Sequence, residues 1–555
     1  MGGLYLSYKQ LTEPFGQSRV AGAARVAPEV KRQAIHRAWP VVGRHIVPSL
    51  LLILVSGCTV GPDFHRPASP YNPISWFVGR APGQGASQPA PEPIDIEWWQ
   101  SFHDPELDSL EQRAAAQNLD VLTATVRVAE ARANAGITAA AFFPSVSGGV
   151  DAFDIKPSNN GLSFGGGSSG GSSGSSSSGG EVNPIQLYQY GFDATWTLDL
   201  WGKVRREVEA GNANIEASEI DRRGTLIQTI AEVARDYVQL RNAQSLLQIA
   251  VDNVRTARKL LSLTQQRAAA GLTDELDVAQ EQAQLTTTEA TVPQAQDQVA
   301  SYINALSLLL GEPPRALQSE LQTAEPVPPT PMVVPIGLPS ELLRRRPDIV
   351  EAEANLHVAT ANIGVAVANF FPTVDLLGLF DIQSNQTQDL FDLASRTYVL
   401  GGTLSVPIFQ GGKLVDTLHL RRQQQKEAVI AYDKAVLSAF SDVDNALTDY
   451  DKEQQRRKLL RQAVYANQHA FDLAQQRYTE GIATYLDVLN AQQAVLSSQS
   501  SYQNSTAAVS TDLVALYLAL GGGWEDTFPT PSNEAPPNAS VGQTLKTAIT
   551  RGNAS

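Results

Sequence analysis

From Tyr188 to Leu200 apolar and polar residues alternate. Tyr188, Tyr190, Phe192, Ala194, Trp196, Leu198 and Leu200 share one parity; Gln189, Gly191, Asp193, Thr195, Thr197 and Asp199 share the other. Period two predicts a strand with one apolar and one polar face. Its length and aromatic content also fit a strand that crosses a bilayer in a β-barrel. Tyr398, Leu400, Leu404, Val406 and Ile408 repeat the parity further on, and a weaker strand precedes each, marked by Val146 and Val150 and by Val374, Leu376, Phe380 and Ile382. A half-buried strand of a soluble sheet alternates in the same way, so the pattern alone leaves both readings open.

After each strand pair the period lengthens. Lys203 to Ala270 is 68 residues without proline, with apolar residues at Leu226, Ile230, Val233, Tyr237 and Leu240, then Leu247, Val251, Val254 and Leu261. Steps of four and three are the heptad of packed, supercoiled helices, here interrupted at Gln244 and Arg258. A helix of that length reaches about 100 Å. Lys413 to Glu480 repeats it with Val436, Phe440, Val443, Leu447 and Tyr450, and loses the seam at Arg457 and Arg461. Gly271 and Gly481 supply the left-handed residue that ends a helix, and return helices are expected over Thr273–Leu310 and Ala483–Leu520. Upstream, Trp98-Trp99-Gln100-Ser101-Phe102-His103-Asp104-Pro105 begins another helix, with Asp104 at the N-cap and Pro105 at the first position; it is expected to run to about Ala141 and stop at Pro144. Heptads establish packing and not a channel.

These elements occur twice. Gly202–Gly311 superimposes on Gly412–Gly521 at a shift of 210, and Asp120 to Pro144 superimposes on Asp348 to Pro372 at a shift of 228. A repeat this long is a duplicated structural unit. The difference of 18 falls where the first copy carries a Gly/Ser run from Gly161 to Gly180, an insertion into a loop between two strands. The chain therefore divides into an N-terminal extension with a signal (1–57), an extended lead (58–97), a first repeat (98–311), a proline-rich belt (312–339), a second repeat (340–523) and a Pro/Asn/Ser-rich tail (524–555).

Charge narrows the partners. From residue 58 onward there are 35 basic and 55 acidic residues, a net of −20, which argues against nucleic acid. Cys58 is the only cysteine, so neither an intrachain disulfide nor a cysteine metal cluster is possible. No apolar run reaches 18 residues, so no bilayer-spanning helix is expected. The matches to G-x-S-x-G at Gly161–Gly165 and to G-x-G-x-x-G at Gly165–Gly170 lie inside the Gly/Ser run, without strand–turn–helix context. No enzyme, cofactor or metal site is expected.

Residues 1–57 are basic, then apolar from Ile46 to Val55, and end in Ser56-Gly57 before Cys58. This reads as a secretory signal, and the cysteine resembles a bacterial lipobox, which implies lipidation of Cys58 and cleavage before it. Gly61-Pro62-Asp63-Phe64-His65-Arg66-Pro67, then Trp98-Trp99 with Phe102-His103-Asp104-Pro105, then Leu338 to Ile349 and Phe370-Phe371-Pro372-Thr373, follow in order. Together they resemble the outer-membrane lipoproteins of RND-type efflux systems (NodT or OprM-like), which belong with TolC; the similarity covers about Cys58 to Trp524.

The resemblance implies a mainly α fold with a membrane β-barrel. Four strands per chain cannot close a barrel, and an open edge in lipid leaves backbone groups unpaired. Two chains would give eight strands and three would give twelve; the family implies a homotrimer, with a TolC-like α-helical barrel and a shared 12-stranded β-barrel. Implied partners are a periplasmic adaptor protein, an inner-membrane RND transporter and the outer-membrane lipid that receives Cys58. The Gly/Ser loop then faces outside the cell and the glycine turns lie in the periplasm. By the same resemblance Arg477–Asn490 forms the inner entrance hairpin, and Arg267–Asp277 the outer one. Asp487, Asn490, Tyr478 and Leu486 become gate residues, and Arg267, Gly271, Arg477 and Gly481 the tip turns that meet the adaptor. Asn490 stands where many relatives carry a carboxylate, and Ala483 replaces an arginine partner of the tyrosine. The expected function is a passive exit duct for drugs or other small toxic compounds. Two alternatives are a duct for peptides or proteins and a non-conducting periplasmic coiled-coil lipoprotein.

Overall fold

The computed structural model describes residues 59–67, 88–90, 97–156, 184–336 and 342–522, all within the compact unit that starts at Gly57. The leader, Cys58, the Gly/Ser run and the tail lie outside the described residues. In chain order the elements are β1 (Gln88–Ala90), α1 (Pro105–Gln117), α2 (Leu119–Ala139), β2 (Ser145–Ile155), β3 (Ile185–Leu198), α3 (Lys203–Ala269) and α4 (Glu275–Leu309). Then follow α5 (Gln318–Leu321), β4 (Val333–Pro335), α6 (Leu342–Arg345), α7 (Pro347–Ala368), β5 (Thr373–Ser384), β6 (Arg396–Ser405), α8 (Lys413–Thr479) and α9 (Tyr485–Leu520). In the proline-rich belt, β4 pairs in parallel with β1 of the N-terminal lead.

The strands β2-β3-β5-β6 form one antiparallel sheet in that order, so β2 and β6 are its edges. The register aligns the expected parity across all four. Val146, Ala194, Gly378 and Leu400 form one row, and Gly148, Phe192, Phe380 and Tyr398 the next. Facing partners lie on the same side of a sheet. One face is therefore apolar along its middle rows and polar at one end, where Asp154, Gln186, Ser384 and Arg396 lie, while Asp151, Asp193, Asp375 and Asp381 lie on the other face. Among the described residues most of the apolar face is uncovered: Val150 is 85% exposed, Leu400 80% and Tyr398 69%, while at one end the Tyr190 hydroxyl donates to the Leu390 carbonyl at 3.1 Å. An apolar row this open on an ordinary soluble chain would be a liability.

Two strands end earlier than their alternation. In β6 the cause is Pro407, which has no N–H to give to a ladder, so Val406 and Ile408 fall beyond Ser405. In β3 it is Asp199, whose carboxylate accepts from the N–H groups of Val204 and Arg205, both at 3.1 Å, and so caps α3.

The long helices match the seam above Gln244; below it the buried stripe of α3 runs through Ala250, Val254, Ala257 and Leu260, and the expected Val251 is 38% exposed. Leu226, Ile230, Val233, Tyr237 and Leu240 of α3 and Val436, Phe440, Val443, Leu447 and Tyr450 of α8 are all buried in one core with Trp98, Trp99 and Tyr517. The two interruptions have different causes. Gln244 is buried and donates to the Leu321 carbonyl at 2.6 Å, tying α3 to the belt. Arg258 reaches sideways to Glu289 on α4 at 2.8 Å.

The single helix expected from Trp98 to Ala141 is instead a short 3-10 turn (Trp98–Phe102), α1 and α2. His103 at φ 52 separates the turn from α1. The second break is Asn118, whose side chain accepts from the N–H groups of Asp120 (2.9 Å) and Val121 (3.1 Å) and restarts the helix. Its amide also donates to the Leu309 carbonyl at 2.8 Å, at the end of α4. In the second repeat the residue 228 positions on is Arg346. It starts α7, and it donates to the Ala519 carbonyl at 2.9 Å, at the end of α9. The duplication has kept the contact with different chemistry.

Candidate functional site

At the turn end the chain reverses twice. Gly271 (φ 72) and Gly481 (φ 78) are both left-handed, and Leu272 and Ile482 donate back to the carbonyls of Arg267 (2.9 Å) and Arg477 (2.8 Å). This closes each helix with a Schellman pattern. The return helices start two residues later than expected, at Glu275 and Tyr485, because each is capped. Asp274 accepts from the Asp277 N–H at 3.2 Å. In the inner hairpin Thr484 and Asp487 form a reciprocal capping box: the Asp487 carboxylate accepts from Thr484 N (2.9 Å) and Thr484 Oγ1 (2.8 Å). Those bonds hold the Asp487 carboxyl below its usual range. Three such carboxylates in a ring would oppose one another's ionisation; within one chain the local bonds push the other way.

The other residues singled out from sequence separate into exposed and buried sets. Arg477, Leu486, Asp487, Asn490, Gly271 and Gly481 are exposed, whereas Tyr478 is buried and Arg267 is half-buried. Arg267 lies over the Tyr478 ring at 4.5 Å and donates to the Thr479 carbonyl at 3.0 Å, clamping the outer turn to the inner one. Tyr478 thus contributes its ring; its hydroxyl has no hydrogen-bond partner among the described residues.

The hydroxyl that does reach across belongs to Tyr485, which donates to Glu281 on α4. Tyr485 packs edge-on against Tyr478, ring centroids 6.1 Å apart, in an apolar cluster with Leu260, Phe471, Val488 and Val495. Glu281 is fully buried, and burial pushes its carboxyl up to about 7 despite the Tyr485 hydroxyl. Neither residue was singled out from sequence. A signal existed: Glu281 lies on the four–three seam of Val278, Leu285, Thr288, Val292 and Ala295, where a carboxylate is out of place.

At the opposite end of α3 the lead segment is docked. Val60 donates to the Trp201 carbonyl at 3.2 Å. Arg206, buried, donates to the Val60 carbonyl (3.2 Å) and to Asp63 (2.6 Å), and Phe64 stacks on His357 at 4.4 Å. Thr59 packs against Gly202, where a Cβ would come within 2.8 Å of it. The residue after Cys58 is therefore fixed at the junction of sheet and long helices. Gly364 makes this possible, because a Cβ there would meet the Arg206 side chain at 2.8 Å. Its repeat mate Gly136 has open space. Gly364→Ala is expected to loosen the lead, read as faster proteolysis near residues 59–67. Gly136→Ala is expected to leave the cleavage unchanged and to raise stability by up to about 1 kcal/mol through helix propensity.

Residues 110–312 and 338–522 match the family described as "Outer membrane efflux protein". The chain belongs to that family, and it is an outer-membrane efflux channel of TolC-like fold. It is 33% identical over 481 residues to the probable efflux pump outer membrane protein TtgC of Pseudomonas putida, covering 85% of this chain and 94% of that protein. It is 28% identical over 479 residues to the probable outer membrane lipoprotein SilC of Salmonella typhimurium, covering 85% and 97%. The structure of the outer-membrane channel OprN superposes with a TM-score of 0.74 at 31% identity, over 84% of this chain and all of that one. The soluble-sheet and non-conducting lipoprotein readings are set aside on this evidence.

Proposed function

We propose that three copies of this chain form the exit duct of a tripartite RND-type pump, and that the duct passes drugs or other small toxic compounds. The observation that carries this reading is the four-stranded sheet with two open edges and a largely uncovered apolar face. Such a sheet satisfies its backbone in lipid only by joining copies of itself into a closed barrel. Three copies give twelve strands, the number that the resemblance implies. The duct is passive, and an inner-membrane transporter supplies the energy.

The turn end suits an adaptor. Leu272, Leu276, Ile482 and Leu486 are exposed, and they are repeat mates in pairs. They offer a ring of apolar contacts beside Arg267, Gly271, Arg477 and Gly481 to a partner's helical hairpins. The gate then lies on the inner hairpin, at Tyr478, Leu486, Asp487 and Asn490. Lipidated Cys58 anchors the chain in the outer membrane, which the docking of Thr59 at the sheet–helix junction supports.

The test is conductance of the purified, lipidated protein in planar bilayers. Rare, small openings of the native channel that become frequent in Asp487→Ala are the expected result. Thr484→Ala breaks the same capping box while keeping the carboxylate. If it opens the channel equally, Asp487 acts by ordering the hairpin rather than by charge. Native-like behaviour of both variants moves the gate elsewhere, and the absence of any current from inserted, folded protein overturns the duct.

A further inference from the structure

Four helices meet at one buried polar contact near the turns. Glu281 comes from α4, Tyr485 from α9, Tyr478 from α8 and Arg267 from α3. The chain of contacts runs Arg267 over Tyr478, Tyr478 against Tyr485, and Tyr485 to Glu281. The first and last of these cross between the outer hairpin (α3–α4) and the inner hairpin (α8–α9). Glu281 is 0% exposed and Tyr485 2%, and the second carboxyl oxygen of Glu281 has no partner among the described residues. Among the described residues a carboxyl in that position has one hydroxyl and no paired cation to balance a negative charge.

We propose that the Glu281–Tyr485 contact is a proton-sensitive latch, which holds the inner hairpin to the outer hairpin when Glu281 is protonated and releases it when Glu281 is ionised. The inference rests on the reading of the turn end as a gated entrance, but it concerns residues that reading does not use.

The groups around Glu281 set the sign. On its own helix Asp277 lies one turn away and adds negative charge at Tyr485. From α9 comes the Tyr485 hydroxyl, and from α8 the Tyr478 ring. The Arg267 guanidinium of α3 lies over the Tyr478 ring and donates to the Thr479 carbonyl, and it does not act on Glu281 directly. Burial is the dominant influence on Glu281 and it disfavours the charge; the Tyr485 hydroxyl opposes it. When the hairpins part, Glu281 meets water and returns to an ordinary carboxyl. The joined state therefore binds the proton more tightly. Its advantage is complete below the ordinary carboxyl range, falls as pH rises from about 4.5, and levels off above about 7. Acidification from about pH 7.4 to about pH 5.5 is expected to favour the joined state by at least about tenfold per chain.

The test reads hairpin separation directly. Cysteines replacing the exposed Leu272 and Ile482 carry spin labels in the mature, lipidated protein; Cys58, the native chain's only cysteine, is then blocked by lipid. The distance distribution is recorded from about pH 4.5 to about pH 9. The native protein is expected to shift from one narrow distance to longer ones as pH rises, with the change complete near neutrality. Glu281→Gln keeps the shape without the titration, and is expected to hold the short distance at every pH. Tyr485→Phe removes the hydroxyl that assists ionisation, so its loss of closure is expected to continue to higher pH. A pH-independent distance in the native protein overturns the latch, as does a native-like pH response in Glu281→Gln. Conductance measured alongside separates the two ideas. Labels that move without any current keep the latch and overturn the duct; current with labels that do not respond to pH keeps the duct and overturns the latch.

Discussion

Arg346→Ala is expected to cost about 2–4 kcal/mol of stability, read as the unfolding midpoint of the detergent-solubilised protein in denaturant. The side chain is 12% exposed and makes four hydrogen bonds, two to Asp348 (2.7 and 3.0 Å) and one each to Asp442 (2.9 Å) and the Ala519 carbonyl (2.9 Å). Burial works against the charge, and the hydrogen bonds to Asp348 and Asp442 outweigh it, so the guanidinium is held more firmly protonated than usual. Removing it orphans a helix-end carbonyl and leaves two carboxylates on α7 and α8 without their shared cation. Both carboxylates are 46% exposed, so water recovers part of the loss, and the estimate stays below that for a fully buried pair. Arg346→Lys keeps the charge but cannot span three acceptors, and is expected to fall between the two. Equal stability of Arg346→Ala and the native chain would show that this junction holds nothing together.

Phe380→Arg is expected to abolish assembly in the outer membrane, with the chain accumulating unfolded or degraded in the periplasm. Phe380 sits in the middle row of the sheet, between Phe192 and Tyr398, and is 50% exposed on the apolar face. An arginine at the bilayer midplane costs about 2–4 kcal/mol per copy, and a trimer pays it three times. Its neighbour Asp381 faces the opposite side, where the register joins it to Gly191 and Thr397. Asp381→Arg is expected to assemble normally and to shift ion selectivity toward anions in a bilayer recording. If both variants assemble alike, the assignment of faces is wrong.

The contrast between those two adjacent residues was legible before any coordinates, because period two is a local property of the chain. The same holds for the heptads of the long helices, for Gly271 and Gly481, and for the duplication itself. Each is set within a few residues by backbone geometry and by which side of an element must leave water. Docking of the lead segment was legible only as an extended, proline-studded stretch; its partners Arg206, His357 and Gly364 are distant in sequence.

The candidate site was half legible. Tyr478 was identified by resemblance as a gate residue, and its ring lies under Arg267 and against Tyr485. Asp487 was identified for its charge at the entrance, and its carboxylate is also a helix cap, a local role that a Thr484-x-x-Asp487 spacing contains. Glu281 and Tyr485 are 204 residues apart, and no window along the chain joins them.

The sequence by itself determined the repeat, the period of every long element and the positions of the turns, since these follow from local spacing and from the sign of each residue's transfer to water. The tertiary structure alone decided which side chains share a buried site: that Asn118 and Arg346 close equivalent helix ends, that Gln244 breaks the seam to hold the belt, and that a buried glutamate joins the two hairpins. The reason is that such contacts depend on the relative placement of helices about 100 Å long, and that placement is fixed by the packing of the whole unit rather than by any stretch of it.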